Sequence, residues 1–373
     1  MKIGFDVAQT CIEKAGCGYY ADSLAQALAK GFPQHELVLY HHFGRWNNES
    51  TDLGTKIESK SVTEPLRNWS KQEAADFWSA PSIDPHILGN PDVIVGNCFQ
   101  MPKVRGAKSV FTVYDTSFWT HPNFHTEPNR LACQEGLLEA IRNADAFSFI
   151  SQHSKSDFER IFPNWLTKQK KDSVVTPLAA RNLRREDIEE NFPKRDYWLF
   201  VGSLEPRKNV ETLLDAYEIY ASQNNKAMPL KLAGGAGWKS EETKQRIDRL
   251  SQSLPIEHLG YVSDEILEYL YGNAFAFIFP SWYEGFGLPV IEAMNQGTPI
   301  ITTLESSLKE IANGYSLNFN PSDANDLAQK MLSLENDPIG WKDLRQKSLE
   351  RANSYNWDYT AAMLIQLLYK ILK

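Results

Sequence analysis

At 373 residues the chain is too long for one ordinary core and long enough for two domains. Apolar residues make up 42% and charged residues 23%, which fits a soluble globular protein and excludes a largely disordered one. A net charge of −8 argues against a general nucleic-acid binder, and no window reaches the roughly eighteen apolar residues of a membrane span.

The chain opens on an apolar run, residues 3–7, that reads as a first strand and lacks the long apolar core of a signal peptide. A helix is expected over 18–30, with Leu24, Ala25 and Leu28 on one face, then a strand over 36–40. The stretch 43–91 is less regular. Its Trp46, Trp69, Phe77 and Trp78 read as buried anchors of a long insertion, with stacking on sugars or lipids as the alternative. Short buried strands follow at 93–95 and 110–114, then a helix over 130–143 and a strand over 146–150. Lys168, Lys170, Lys171, Arg181, Arg184 and Arg185 give the middle of the chain a basic tint, read as a solvated linker face, with a phosphate or membrane-surface contact as the alternative. The β-α alternation restarts with a strand at 197–201 and a helix at 209–223. Further strands at 230–233, 257–259, 276–279 and 299–301 have helices between them.

Alternation of this kind implies parallel sheets covered by helices on both faces. The expected architecture is α/β, with two doubly wound, Rossmann-like domains facing a central cleft. The first spans 1–185 and the second 186–355, with the boundary in the polar stretch 181–194. Ligands are expected at the carboxyl ends of the strands. Cys11, Cys17, Cys98 and Cys133 form no CxxC pair, so neither a zinc site nor a dithiol motif is suggested. So few cysteines fit a reducing compartment, hence a cytoplasmic location. Peripheral contact with the inner face of a membrane through the N-terminal domain is left open.

Four segments carry candidate chemistry. In residues 280–293 an apolar strand runs into a glycine-containing turn and then a helix near Leu288, with Pro289 suited to its first turn. The helix start, with free N–H groups and a positive dipole end, suits an anion, and Gly285 and Gly287 allow close backbone approach. Glu284 and Glu292 flank it, and a carboxylate there suits hydroxyls rather than phosphate. In residues 201–210, Gly202 and Ser203 precede Arg207 and Lys208, two adjacent cations at the end of a strand, placed to neutralise a diphosphate. Residues 15–21 match G-x-G-x-x-A through Gly16 and Gly18, but the glycines stand well after the first strand, and His41 and His42 stand where a dehydrogenase would want an acid. That loop reads as a backbone clamp near phosphate or acceptor, or as a simple turn opening a helix. In residues 112–119, Asp115 is expected to end a buried strand and point into the cleft toward a hydroxyl, a turn or cap role being the alternative, and His121 and His125 read as surface histidines. No D-x-D triplet occurs, so no metal or other cofactor is expected, the diphosphate being met by Arg207, Lys208 and the helix dipole.

The Glu284–Glu292 segment resembles the E-x₇-E signature of retaining glycosyltransferases with the GT-B fold, glycosyltransferase group 1 (family four). Residues 202–209, 234–239, 259–263 and 16–19 are similar to other segments of that family, so the resemblance covers nearly the whole chain. It implies that Arg207 and Lys208 bind the donor diphosphate and that Glu292 binds ribose hydroxyls. Glu284 and the backbone of Phe286, Gly287 and Leu288 would hold the sugar and distal phosphate, and the backbone at Val262 would meet the base. It also implies that a C-terminal helix, 356–373, crosses back to the first domain. The family often has His-Asp where this chain has Tyr114-Asp115, which leaves sugar preference open, since a tyrosine hydroxyl donates a hydrogen bond but carries no imidazole charge.

The expected activity is transfer of a hexosyl group, with retention, from a UDP- or GDP-sugar to a hydroxyl of a saccharide or lipid-linked saccharide, in synthesis of a cell-surface polysaccharide or glycoconjugate. The partners are then a nucleotide sugar and that acceptor, without nucleic acid. The alternatives are a sugar-nucleotide epimerase on the same scaffold and a catalytically silent nucleotide-sugar sensor.

Overall fold

The computed structural model describes residues 1–97, 99–181 and 195–373, which divide into two compact units. One comprises Met1–Leu178 together with Asn356–Lys373, the other Ala179–Tyr355. The change-over at 178–179 precedes the expected boundary at 185–186. From residue 182 on, the expected linker, with Arg184 and Arg185, lies outside the described residues, as does Cys98.

The first unit is built on a seven-stranded parallel sheet of β1 (Lys2–Asp6), β2 (Glu36–Tyr40), β3 (Val62–Thr63), β4 (Val93–Gly96), β5 (Lys108–Val113), β6 (Ala146–Phe149) and β7 (Asp172–Val175). Their spatial order is β3-β2-β1-β4-β5-β6-β7, so the winding reverses between β1 and β4. The central strands are buried along almost their whole length, as a sheet covered on both faces requires. Neither β3 nor β7 is expected from the sequence: β3 has two residues, too few to show a period, and β7 opens on the polar Asp172 and Ser173 and is only half-buried.

The aromatics of 43–91 are core anchors. Trp78 is buried, its ring lies 5.0 Å from that of Phe43, and its Nε1 donates to the His42 carbonyl at 3.1 Å. Trp46, Trp69 and Phe77 pack against the same cluster. Trp78 sits on helix Lys71–Ser79, which opens on a capping box: the Ser70 hydroxyl accepts from Glu73 N and the Glu73 carboxylate accepts from Ser70 N.

The chain returns to this unit for its last helix, Trp357–Leu372, started by Asn356, whose side chain accepts from Tyr359 N at 2.7 Å. Trp357 meets Tyr20 edge-to-face at 6.1 Å, Thr360 donates to the Pro177 carbonyl and Lys370 pairs with Asp172, both at 2.5 Å, and Tyr369 is hydrogen-bonded to His35 at 3.0 Å. Among the described residues no helix is long and apolar enough to cross a membrane.

The second unit holds a six-stranded parallel sheet of β8 (Trp198–Val201), β9 (Leu230–Ala233), β10 (Ile256–Gly260), β11 (Ala276–Phe279), β12 (Ile300–Thr302) and β13 (Leu317–Asn318). The order β10-β9-β8-β11-β12-β13 again reverses once, between β8 and β11. Such a reversal, at the carboxyl ends of the strands, is the general ligand position of such sheets.

Burial of histidines gives the fold a pH dependence. His41 and His42 are fully enclosed, and burial depresses the pKa of each below the ordinary imidazole value. An unfolded chain therefore takes up protons near pH 6.5 that the folded chain refuses, so stability falls as pH drops below about 6.5. The thermal midpoint is expected to fall between about pH 7.5 and pH 5.5, and His41→Gln should flatten that slope. An unchanged slope in the variant would assign the acid lability elsewhere.

Candidate donor-binding site

The site of the second unit begins with the segment leaving β8. Gly202 N donates to the Ala233 carbonyl and Leu204 N to the Gly235 carbonyl, so residues 202–204 run beside the glycine-rich segment that follows β9. This contact needs Gly234: at its φ of +141° a side chain is disfavoured, and a Cβ would stand 2.1 Å from the Gly202 carbonyl oxygen. Residues Pro206–Lys208 then form a single 3₁₀ turn. Asn209 follows in the left-handed conformation, and helix Val210–Ser222 starts. Asn209 is held by its side-chain amide, which donates to the carbonyls of Pro280 and Pro321 at 3.1 and 2.9 Å. The first of these ties the turn to the segment leaving β11.

That turn aims both cations at Glu284. Lys208 Nζ lies 2.7 Å from Glu284 Oε1 and Arg207 Nη1 2.7 Å from Glu284 Oε2. Arg207 also donates to the Tyr283 carbonyl at 2.8 Å and to Glu205 Oε1 at 2.5 Å. Lys208 Nζ stands 4.7 Å from the centre of the Phe279 ring. Lys208 and Glu284 are both buried. Burial alone would raise the Glu284 pKa, but Arg207 and then Lys208 outweigh it and hold the carboxyl at about 2. Burial depresses the Lys208 pKa and Glu284 opposes that shift; an ionised carboxylate at 2.7 Å keeps the ammonium charged. Two cations against Glu205 and Glu284 make the group neutral overall. Glu205 did not stand out in the sequence, because its role is a contact made only when the turn folds.

The loop from Glu284 to the next helix is pinned from one side. Ser307 Oγ stands 2.8 and 2.7 Å from the carbonyl oxygens of Glu284 and Phe286 and shares its one proton between them, and Glu284 N donates to Ser306 Oγ at 2.7 Å. In a planar trans peptide the N–H points opposite to the carbonyl, so the N–H groups of Gly285 and Gly287 are directed away from Ser307. Gly287 has φ +111° and precedes helix Leu288–Asn295; a Cβ there would lie 2.8 Å from Leu308. Pro289 stands in the first turn, where its missing N–H costs no helical bond. Oriented N–H groups and a positive helix end next to Arg207 and Lys208 are an arrangement that suits an anion.

Glu292, on that helix, is 2% exposed and belongs to a different network. Its carboxylate accepts from Arg181 Nε and, at 3.0 and 3.1 Å, from Arg181 Nη2 and the Tyr271 hydroxyl. Arg181 Nη1 reaches Asp264 Oδ1 at 2.7 Å. Arg181 is therefore not a solvated linker residue: its side chain is 10% exposed and ion-paired. Sequence spacing placed the two glutamates together, whereas the structure gives each its own partners. Val262 is half-buried, between Gly260 at the end of β10 and Ser263, which caps helix Asp264–Asn273.

The remaining residues expected at the site lie in the first unit. Helix Gly16–Gly31 starts at Gly16 rather than Gly18, and no side chain caps it. Gly18 faces the turn Ala8–Thr10 so closely that a Cβ would stand 2.8 Å from the Gln9 carbonyl oxygen, so packing accounts for this glycine. Tyr114 is buried, its ring 5.6 Å from Tyr20 and 5.2 Å from Phe99, and its hydroxyl donates to the Cys17 carbonyl at 3.4 Å. The structure thus joins Tyr114 to the glycine loop. Strand β5 ends at Val113, and Asp115 is not the strand end expected from the sequence: its Oδ1 accepts from the Ser117 N–H at 2.8 Å and hydroxyl at 2.6 Å, a turn arrangement. His125 is bound to the same hydroxyl at 2.8 Å. At the winding reversal of this sheet the buried Asp6 accepts from Ala8 N and Asn97 N, a network the sequence did not single out.

Comparison with known proteins supplies the last observations. Residues 184–354 match the family model described as Glycosyl transferases group 1. Across 100% of both chains the sequence is 28% identical to the O-antigen chain mannosyltransferase B of Escherichia coli. The sucrose-phosphate synthase of Thermosynechococcus elongatus has a similar structure, with a TM-score of 0.70 at 21% identity over 99% of this chain and 98% of that one. HepE of Anabaena, solved in complex with UDP and glucose, gives a TM-score of 0.71 at 16% identity over 99% of this chain and 100% of that one.

Proposed function

The chain belongs to the group 1 glycosyltransferases and has the GT-B fold, and from that premise we propose that it moves a mannosyl group, with retention, from a nucleoside-diphosphate mannose to a hydroxyl of a growing cell-surface polysaccharide. The observation that carries the donor half is the enclosed Glu284 with Arg207 and Lys208 against it, at the winding reversal of the second sheet and beside a helix start. The cations meet the diphosphate, the N–H groups of the 285–288 segment meet the distal phosphate, and Glu284 accepts from the sugar hydroxyls. Glu292 accepts from the ribose and the backbone at Val262 meets the base. In the transfer, the acceptor oxygen bonds to the anomeric carbon as the bond from that carbon to the diphosphate breaks. The acceptor proton passes to a phosphate oxygen of the leaving group, whose charge Arg207 and Lys208 stabilise. With Arg207, Lys208 and the positive helix end directed at the diphosphate, activity should survive exhaustive treatment with EDTA.

The choice of mannose is supported by the full-length relative named a mannosyltransferase. Thermal-shift titration with UDP- and GDP-linked glucose, galactose and mannose should give the largest stabilisation with one of the mannosyl donors. Proton NMR of the product should show the anomeric configuration of the donor; an inverted product would overturn the retaining mechanism. Epimerised nucleotide sugar in the absence of acceptor would overturn transfer as the activity.

A further inference from the structure

We infer that Arg181 is a positioning residue for the donor nucleotide: it fixes the carboxylate of Glu292 so that one acceptor site remains for a ribose hydroxyl, and it thereby sets the selection of ribonucleotide over deoxyribonucleotide donors. This rests on the assignment of Glu292 to the ribose.

An ionised carboxylate offers about four acceptor positions. In Glu292 three are taken: one on Oε1 by Arg181 Nε, and two on Oε2 by Arg181 Nη2 and the Tyr271 hydroxyl. The position left is on Oε1. Two parallel bonds from a planar guanidinium fix the plane of the carboxylate as well as its place. Arg181 is itself held at its far end, where Nη1 reaches Asp264 Oδ1 at 2.7 Å. Tyr271 is held by its own packing, with its ring 5.6 Å from that of Phe277 on β11. Glu292, 2% exposed on a helix tied into the sheet, has little freedom of its own. A carboxylate held this way presents a directed acceptor, and a site built to pair a hydroxyl rejects an analogue that lacks it far more strongly than a flexible charge does. Lysine at 181 would keep the charge but lose the fork.

The test is calorimetric binding of UDP and GDP and of their 2′,3′-dideoxy counterparts to the full chain, with donor KM and kcat measured beside it. The wild type should prefer the ribonucleotide, and Glu292→Gln should lose most of that preference. Arg181→Lys should weaken ribonucleotide binding about tenfold, leave dideoxynucleotide binding nearly unchanged, and raise donor KM with kcat little altered. Asp264→Asn, a change at a half-exposed position, should move the same ratio in the same direction by a smaller factor, which keeps the test available if the Arg181 variant folds poorly. A ribose preference lost in Glu292→Gln but intact in Arg181→Lys and Asp264→Asn would overturn the role of Arg181 while sparing that of Glu292. Tighter nucleotide binding in Arg181→Lys would make the arginine a competitor for Glu292 and overturn it as well. A wild type without ribose preference would overturn the Glu292 assignment itself.

Discussion

Lys208→Met should reduce kcat/KM for sugar transfer by about 10²–10³, the loss typical when one preorganised donor to a developing negative charge is removed. Lys208 Nζ sits in a buried position 2.7 Å from Glu284 and over the Phe279 ring, so it enters the reaction already desolvated and already aimed. Water does not have to reorganise around it as charge builds on the leaving diphosphate. Methionine keeps most of the side-chain volume and removes only the charge, and Arg207 remains at 2.7 Å to hold Glu284. The fold should therefore survive, which circular dichroism checks, and the loss should be one of turnover. The reverse deletion should behave differently. Glu284→Ala leaves Lys208 buried without that partner, and breaking a buried pair from one side costs about 3–5 kcal/mol of stability, to be read from denaturant unfolding. Because Arg207 and Lys208 hold Glu284 at about 2, its protonation stays outside the physiological range, and the pH profile of transfer should contain no limb from this carboxyl. Unchanged turnover in Lys208→Met would remove the lysine from the donor site.

The division between what the sequence announced and what it withheld follows range. Buried strands such as β4 and β11 are continuous apolar runs bounded by turns, and they are legible because burial on both faces demands nothing else. The segments 202–209 and 284–292 are legible because strand, glycine turn and helix start succeed one another locally. What local order cannot reveal is pairing. That Arg207 and Lys208 both turn to Glu284, or that Arg181 crosses to Glu292 on a helix more than a hundred positions away, is set by the winding order of the sheet. Tyr114 is the opposite case. Its departure from the expected histidine invited a reading about specificity, yet its ring packs between Tyr20 and Phe99 and its hydroxyl meets the glycine loop, so part of its character is that of a core residue. Asp115 likewise spends an oxygen on Ser117. Edge strands of two residues, β3 and β13, lie below any periodic signal.

Gly234→Ala should be among the most damaging small substitutions in the second unit, lowering its stability by about 3 kcal/mol and abolishing donor binding at ordinary concentrations. Two penalties combine. The backbone at φ +141° lies where a residue with a Cβ rarely goes, and the added methyl would stand 2.1 Å from the Gly202 oxygen and 2.6 Å from its carbonyl carbon. Both neighbours are backbone, so no side chain can rotate away. Relief requires the segments after β8 and β9 to part, which breaks the bonds from Gly202 N to the Ala233 carbonyl and from Leu204 N to the Gly235 carbonyl. The first of these stands at the root of the turn that presents Arg207 and Lys208, so a shift of tenths of an ångström there is passed directly to both cations. Gly235→Ala is the control: a Cβ at that position meets nothing within 4 Å. Thermal melts and nucleotide-sugar titrations of the two variants should separate sharply, with Gly235→Ala close to wild type. If Gly234→Ala bound donor normally, the segments after β8 and β9 would have to be independent of each other, and the preorganisation ascribed to Lys208 would lose its structural basis.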